Sequence, residues 1–199
     1  GCRALDPTHP VTQEYIQATV DRVVHEWGYS CIKLDLMYAG ALFGVRHDPS
    51  VTRAQALRRA FQLVREAAGP DTYIVGCGSP LSPAIGLVDA MRISPDVAPQ
   101  WQPSRGHLRR WSAGKSGAPS LQSSLRNVIT RAWMHNRWWV NDPDSLLLRD
   151  DATQLTADEV LTHLTLVGLL GGSVVLSDAM ENLPLERRAA AAALFPQLL

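Results

Sequence analysis

Apolar and polar positions along the chain follow two periods, one typical of helices and the other typical of strands. Apolar residues recur at roughly helical spacing in five stretches, at residues 8–28, 50–69, 120–137, 156–172 and 184–199. Short apolar runs predict five strands, at residues 29–37, 72–80, 88–94, 138–144 and 173–178, with the tail of a sixth expected in residues 2–7. Because strands and helices alternate, the pattern predicts an α/β fold with a parallel sheet and right-handed crossovers.

Local signals predict where two of the helices begin and end. Ser50 or Thr52 can cap the second helix, and Gly69 stops it. Thr156 and Glu159 have the capping-box spacing at the start of the fourth. These signals agree with the helix boundaries that the spacing of apolar residues predicts, at residues 50–69 and 156–172.

Polar residues gather where each predicted strand ends, and this placement favours a (β/α)8 TIM barrel, whose catalytic residues lie at the carboxyl ends of its strands. They include Asp35, Ser79, Asp96, Asp142 and Asp178. A doubly wound sheet also concentrates polar residues there, but no GxGxxG or P-loop motif follows any strand. A barrel needs eight strands and typically ~250 residues. We therefore expect residues 1–199 to be an incomplete barrel whose first two to three strands precede Gly1.

The first predicted strand has a cation and a carboxylate, Lys33 and Asp35, inside an apolar run. Alternation puts both on the lumen face and the apolar residues, including Leu36, on the outer face under the helices. The ammonium is expected to keep Asp35 ionised, which suits a nucleophile. A buried structural ion pair explains the spacing about equally well.

A second carboxylate, Asp96, is predicted to end the strand two positions further round the sheet. Two strands so placed lie roughly 9–10 Å apart. Inward-leaning carboxylates would then approach ~5–5.5 Å, the separation found in retaining glycosidases. Arg92, four residues earlier, can bind a substrate hydroxyl or hold a carboxylate, although a surface salt bridge is about as good an explanation.

Four segments together resemble the α-galactosidase clan of glycoside hydrolases, and family 36, the melibiase-like enzymes, looks most similar. The segments are LDPTHP, IKLDLMYAGAL, GCGSPLSPAIGLVDAMRISPDVAPQW and NRWWVNDPDSLLLR. They stand in the order expected from the end of strand three through strand eight of the barrel. The resemblance implies a retaining hydrolase that cleaves terminal α-galactosides by double displacement.

The same resemblance implies a role for several residues. Asp35 becomes the nucleophile and Asp96 the general acid/base, while Lys33 and Arg92 become ligands of the sugar hydroxyls.

The remaining candidates have competing explanations. Cys77 and Gly78 fall where the fifth strand of the family meets the sugar, although a cysteine is more often a small buried hydrophobe. Asp142 and Asp144 fall near the pocket rim, and their N-D-P-D sequence also favours an Asx-turn. Trp101 lies in a long loop predicted at residues 97–120, where it could stack on a sugar.

Composition excludes some partners. With 19 basic and 19 acidic residues the formal net charge is zero, which argues against nucleic acid or an anionic membrane. The longest apolar run is too short to cross a bilayer. Three cysteines without CxxC spacing make a disulfide framework or zinc site unexpected, so a reducing cytoplasm is the default location.

The resemblance leaves alternatives open. It implies no metal or organic cofactor, and a homo-oligomer of the full-length parent protein. A same-clan α-N-acetylgalactosaminidase or raffinose-family transglycosylase would share these motifs, and a catalytically inactive carbohydrate-binding fragment is an alternative of another class. Because a barrel without some of its strands has open edges, we expect this chain alone to have little or no activity and to aggregate.

Overall fold

A computed structural model describes residues 4–103 and 119–195. The chain divides into two compact units, Gly1–Arg92 and Ile93–Leu199, which we call the first and second units. The central part of the predicted loop, residues 104–118, lies outside the described residues. Within the described ranges, every helix is too short or too polar to span a lipid bilayer.

The first unit contains a three-stranded parallel sheet and two helices. Its elements are α1 (Pro10–Asp21), a π-helical turn (Arg22–Glu26), β1 (Cys31–Leu34), α2 (Arg53–Ala68), β2 (Tyr73–Gly76) and β3 (Ala90–Arg92). The strand order is β1-β2-β3. Cys31 lies opposite Tyr73 in the first pair, and Val75 lies opposite Ala90 in the second. The predicted parallel pairing is confirmed for these strands.

Helix α2 packs its apolar face into the core of this unit. The side chains of Leu57 and Phe61 on α2, Ile74 on β2 and Met91 on β3 are all buried. The helix begins at Thr52, whose hydroxyl accepts a hydrogen bond from the backbone N–H of residue 55 in a full capping box. Of the two predicted caps, Thr52 is therefore the correct one. The helix ends at Gly69, as predicted.

In its described part, the second unit combines three helices with three short strands. They are α3 (Leu121–Arg131), β4 (Val140–Asp142), β5 (Ser145–Leu146), α4 (Ala157–Leu170), β6 (Val175–Leu176) and α5 (Leu185–Ala192). Strands β5 and β6 pair in parallel, with Leu146 opposite Leu176. The core of the second unit is a cluster of leucines, valines and an alanine, including Leu121, Leu146 and Val167. Helix α4 begins with the predicted capping box between Thr156 and Glu159.

Two strand predictions need correction. The described part of residues 2–7 forms no strand, and the sixth strand is instead β5, a two-residue strand that follows β4. Each observed strand is also shorter than its apolar run, because a run of apolar residues marks burial and not hydrogen-bonded pairing. The α/β class with parallel strands is confirmed, and closure into an eight-stranded barrel stays a prediction.

Candidate active site

The chain leaves β1 by a turn that the sequence pattern did not predict. The strand ends at Leu34, and Leu36 has a left-handed backbone with φ +55°. This turn leads into a short 3₁₀ helix, Met37–Ala41. Leu36 is 60% exposed, so the prediction that it packs on the outer face is wrong, because strand alternation stops two residues before it. Lys33, within the strand, is exposed, and Ile32 and Leu34 are half-buried, as alternation requires.

Backbone hydrogen bonds join the segment after β1 to the segment after β2. The N–H of Cys77 donates to the Leu34 carbonyl at 2.7 Å. In the opposite direction, the N–H of Met37 donates to the Cys77 carbonyl at 3.4 Å and that of Tyr38 to the Gly78 carbonyl at 2.8 Å. Asp35 therefore lies on a turn that is fixed from both sides.

The carboxylate of Asp35 is held ionised mainly by hydrogen bonds. The backbone N–H of Leu36 donates to Asp35 Oδ1 at 2.6 Å, and this bond is the largest influence lowering the pKa of Asp35. The Cys77 thiol and the charges of Lys33 and Arg92 lower the pKa of Asp35 further, against the opposing effect of burial. The predicted direction is correct, but the Lys33 ammonium is a minor cause.

Gly78 lies directly against this carboxylate. Its φ of +53° is in the left-handed region, and a Cβ built on it would lie 2.9 Å from Asp35 Oδ1 and 2.9 Å from the Leu36 nitrogen. Any other residue would therefore push on the carboxylate and on its amide donor. The structure shows that Gly78 leaves space for Asp35, and its predicted contact with the sugar stays a prediction.

Cys77 and Arg92 are far from Asp35 in the sequence, and both are buried and influence the pKa of Asp35. Cys77 is 7% exposed, and burial, with a smaller contribution from Asp35, raises the pKa of its thiol to about 11. Arg92, at the end of β3, is 8% exposed. Arg92 is therefore not at the surface, where the alternative explanation placed it. Its charge also lowers the pKa of Asp35.

The second unit contains the other predicted carboxylates. Asp96 lies in the segment after β3 and not in the strand, so the prediction that it ends the strand is wrong. Asp142 Oδ1 accepts the backbone N–H of Asp144 at 2.9 Å, which is the Asx-turn that N-D-P-D favours. Asp144, with φ +80°, accepts the N–H of Val97 on Oδ2 at 2.8 Å. Asp144 thus fixes the segment that contains Asp96, a role that the sequence did not predict.

Trp101 is half-buried and packs against the leucine core of the second unit. Its carbonyl accepts the N–H of Gln122 at 3.0 Å, which ties the start of the long loop to helix α3. A structural role for Trp101 is therefore shown, and stacking on a sugar stays a prediction.

Metal chemistry has no obvious donor set here. Within residues 4–103 and 119–195, no three His, Cys, Asp or Glu side chains form a group that could hold a metal ion.

Comparison with solved structures identifies the kind of protein that this geometry resembles. The chain superposes on an alpha-galactosidase from Thermus thermophilus in complex with stachyose, with a TM-score of 0.81 and 29% identity over 96% of this chain and 39% of that one. The complex of the same enzyme with p-nitrophenyl alpha-D-galactopyranoside gives a TM-score of 0.80 and 30% identity, covering 96% and 37%. Alpha-galactosidase I from Mortierella vinacea shares the fold, with a TM-score of 0.67 and 15% identity, covering 91% and 45%.

Sequence comparisons add little. No protein-family model matches the chain. Over 38 residues it is 42% identical to deoxyribodipyrimidine photo-lyase from Escherichia coli (strain K12), which is 19% of this chain and 8% of that enzyme. A match so short carries no argument about activity. The three structures named above are alpha-galactosidases, and the chain spans about two fifths of the length of the Thermus enzyme.

Proposed function

We propose that the chain is part of the catalytic barrel of a retaining glycoside hydrolase that cleaves terminal α-galactosides. One observation carries the proposal: Asp35 directly follows the carboxyl end of the parallel strand β1, and the backbone N–H of Leu36 donates to its Oδ1 at 2.6 Å. The structural neighbour with a TM-score of 0.81 is an alpha-galactosidase in complex with stachyose. Membership of family 36 and a closed eight-stranded barrel in the parent protein belong to the same proposal.

The proposed reaction is a double displacement. A carboxylate oxygen of Asp35 attacks the anomeric carbon, and the bond to the leaving oxygen breaks as Asp96 donates its proton to that oxygen. Asp96 then takes a proton from water, which attacks the anomeric carbon and releases Asp35. An ionised Asp35 suits the first step, because the nucleophile must be unprotonated when the sugar arrives.

The other predicted site residues support these two. Lys33 and Arg92 have positive charges near Asp35 and can donate to sugar hydroxyls. Gly78 keeps the face of the carboxylate clear. Asp144 holds the backbone of Val97, next to Asp96, and Asp142 holds the backbone of Asp144. A cytoplasmic location and a homo-oligomeric parent protein stay predictions.

Hydrolysis of p-nitrophenyl α-D-galactopyranoside tests the proposal. We expect weak turnover by the chain, complete loss in Asp35→Ala, and recovery in the presence of azide, which replaces the missing nucleophile and gives the β-galactosyl azide. Asp96→Ala should lose less activity on this substrate, because nitrophenolate leaves without a proton. Wild-type turnover by Asp35→Ala would overturn the assignment.

The alternatives are outcomes of the same assay. Preference for the N-acetylgalactosamine analogue would point to an α-N-acetylgalactosaminidase, and transfer to raffinose instead of water to a transglycosylase. Galactose binding without turnover, in wild type and Asp35→Ala alike, would support a non-catalytic carbohydrate-binding fragment. Neither binding nor turnover would overturn all of these functions.

A further inference from the structure

Asp178 is a polar residue at the end of a strand that the proposed reaction does not use. It follows β6, and its side chain is 1% exposed. Its Oδ2 accepts the backbone N–H groups of Leu148 at 2.5 Å and Arg149 at 3.2 Å. Its Oδ1 lies 3.5 Å from Nε of Arg149 and has no hydrogen-bond partner within the described residues. A buried carboxylate is costly unless it is compensated, and these two N–H groups and the guanidinium compensate it.

Arg187 holds the same two residues from their carbonyl side. It lies on α5, and its Nη1 donates to the Leu148 carbonyl at 2.6 Å and to the Arg149 carbonyl at 3.0 Å. Two consecutive residues therefore have their N–H groups on a carboxylate and their carbonyls on a guanidinium. We call Asp178 and Arg187 together the clamp. Because hydrogen bonds to charged groups are roughly twice as strong as neutral ones, the clamp holds the backbone after β5 firmly.

The clamped residues begin a loop that reaches residues 96–99, which we call the Asp96 segment. The loop connects β5 to α4. Within it, the backbone N–H of Gln154 donates to the Pro99 carbonyl at 2.8 Å, and the hydroxyl of Thr153 donates to the same oxygen at 3.4 Å. The loop therefore holds one end of the Asp96 segment, whose middle is held by Asp144.

The proposed reaction requires Asp96 to be placed accurately. A general acid must lie at hydrogen-bond distance from the leaving oxygen, and a displacement of about 1 Å can cost ~10²-fold in rate. We propose that Asp178 and Arg187 are positioning residues for Asp96: they hold the loop after β5, and this loop holds the Asp96 segment. All of these contacts lie within the second unit and are made without a sugar. The inference rests on the proposed function, which gives Asp96 its proton transfer.

The dependence of the rate on the leaving group tests this role. Methyl α-D-galactopyranoside releases methanol, whose oxygen must receive a proton, whereas p-nitrophenyl α-D-galactopyranoside releases nitrophenolate without one. The ratio kcat/KM covers the steps up to loss of the leaving group. We expect Asp178→Asn to lower kcat/KM by about tenfold or more on the methyl galactoside and by less than about twofold on the nitrophenyl galactoside. Asp150→Asn, which changes an exposed aspartate of the same loop, should leave both values unchanged.

Arg187 provides a second, independent pair of variants. Arg187→Ala removes the donor to both carbonyls and should show the same selective loss on the methyl galactoside. Arg187→Lys keeps a cationic donor and should recover part of that loss. Should Asp178→Asn fail to fold, the Arg187 pair decides the outcome. Equal losses on the two substrates in every folded clamp variant would mean that the clamp only stabilises the fold, and would overturn the proposal.

Amide hydrogen exchange in the sugar-free chain tests the link between the clamp and the loop. Asp178→Asn should accelerate exchange at Leu148 and Arg149, because their acceptor loses its charge, and also at Gln154, because the loop is released. Exchange at the buried Val167 on α4 is the reference for opening of the whole unit. Unchanged exchange at Gln154 relative to this reference would overturn the proposal.

The outcomes separate this inference from the proposed function. Turnover by the wild-type chain with equal losses on the two substrates would keep the hydrolase and reject the clamp as a positioning device. Hydrolysis of neither substrate by the wild-type chain would reject the hydrolase and, with it, the catalytic role of the clamp, whatever the exchange at Gln154. Selective loss on the methyl galactoside together with faster exchange at Gln154 would support both.

Discussion

His163 makes the stability of the second unit depend on pH in a way that can be calculated. The residue lies on helix α4 and is 1% exposed. Neither ring nitrogen has a hydrogen-bond partner within the described ranges. Burial lowers the pKa of His163 from 6.5 to about 4, against a smaller opposing effect of the Asp144 charge. The folded chain therefore holds the imidazole neutral.

The sign and size of the effect follow from proton linkage. The unfolded chain protonates His163 near pH 6.5, and the folded chain does so only near pH 4. The contribution of His163 to the free energy of unfolding is therefore highest above pH 6.5 and decreases as the pH falls from 6.5 to 4. The full difference corresponds to about 3 kcal/mol, and about 2 kcal/mol is already lost at pH 5. Unpartnered buried nitrogens cost roughly 1–3 kcal/mol each even in the neutral ring.

Urea unfolding at pH 7 and pH 5, followed by circular dichroism, measures the free energy of unfolding at each pH. His163→Leu should be at least as stable as wild type at pH 7, and its loss of stability between pH 7 and pH 5 should be smaller by about 2 kcal/mol. His25→Leu, which replaces an exposed histidine, should keep the wild-type pH difference. An equal pH difference in wild type and His163→Leu would refute the reasoning.

Three further predictions concern the space beside Asp35, the first turn of helix α4 and the exposed apolar residues of the first unit. Gly78→Ala should destabilise the chain by more than Gly28→Ala, because both glycines have positive φ but only a Cβ at residue 78 would press against Asp35. Equal urea midpoints for the two variants would mean that this close approach is irrelevant. Thr156→Ala should lower the free energy of unfolding by about 1 kcal/mol and Thr156→Ser by less, and an unaffected alanine variant would mean that the capping box contributes nothing. Val45→Asp, at a fully exposed valine two residues from the exposed Phe43, should reduce self-association in sedimentation velocity more than Leu169→Asp does in the second unit. Equal effects of the two variants would point to non-specific aggregation.

Short-range features of the fold could be predicted from the sequence. The capping boxes at Thr52 and Thr156 need only a residue and its third neighbour, and the parallel strands follow from alternation of element types. The positive φ of Leu36 could not be predicted, because a leucine rarely adopts it and nothing in the adjacent residues requires it. That single turn is what brings the Leu36 amide to Asp35.

Long-range contacts explain the rest of what the sequence missed. The bond from the Val97 N–H to Asp144 joins residues 47 positions apart, and the pattern contains no signal for it. The space that Gly78 leaves for Asp35 depends on the fold of a different segment, so the sequence pattern gives no signal for it. The sequence therefore identified these residues as candidates for the site, but it did not predict which residues they contact.

Trapping the glycosyl–enzyme intermediate tests the central assignment, that Asp35 is the nucleophile. 5-Fluoro-α-D-galactosyl fluoride keeps the first step fast through its good leaving group, and its ring fluorine slows the second by destabilising the oxocarbenium-like transition state. One catalytic event per molecule is enough, so a weakly active chain suffices. Mass spectrometry of a peptic digest should find the sugar on the peptide that contains Asp35, with no label in Asp35→Ala. A label on another carboxylate, or none at all, would contradict the account.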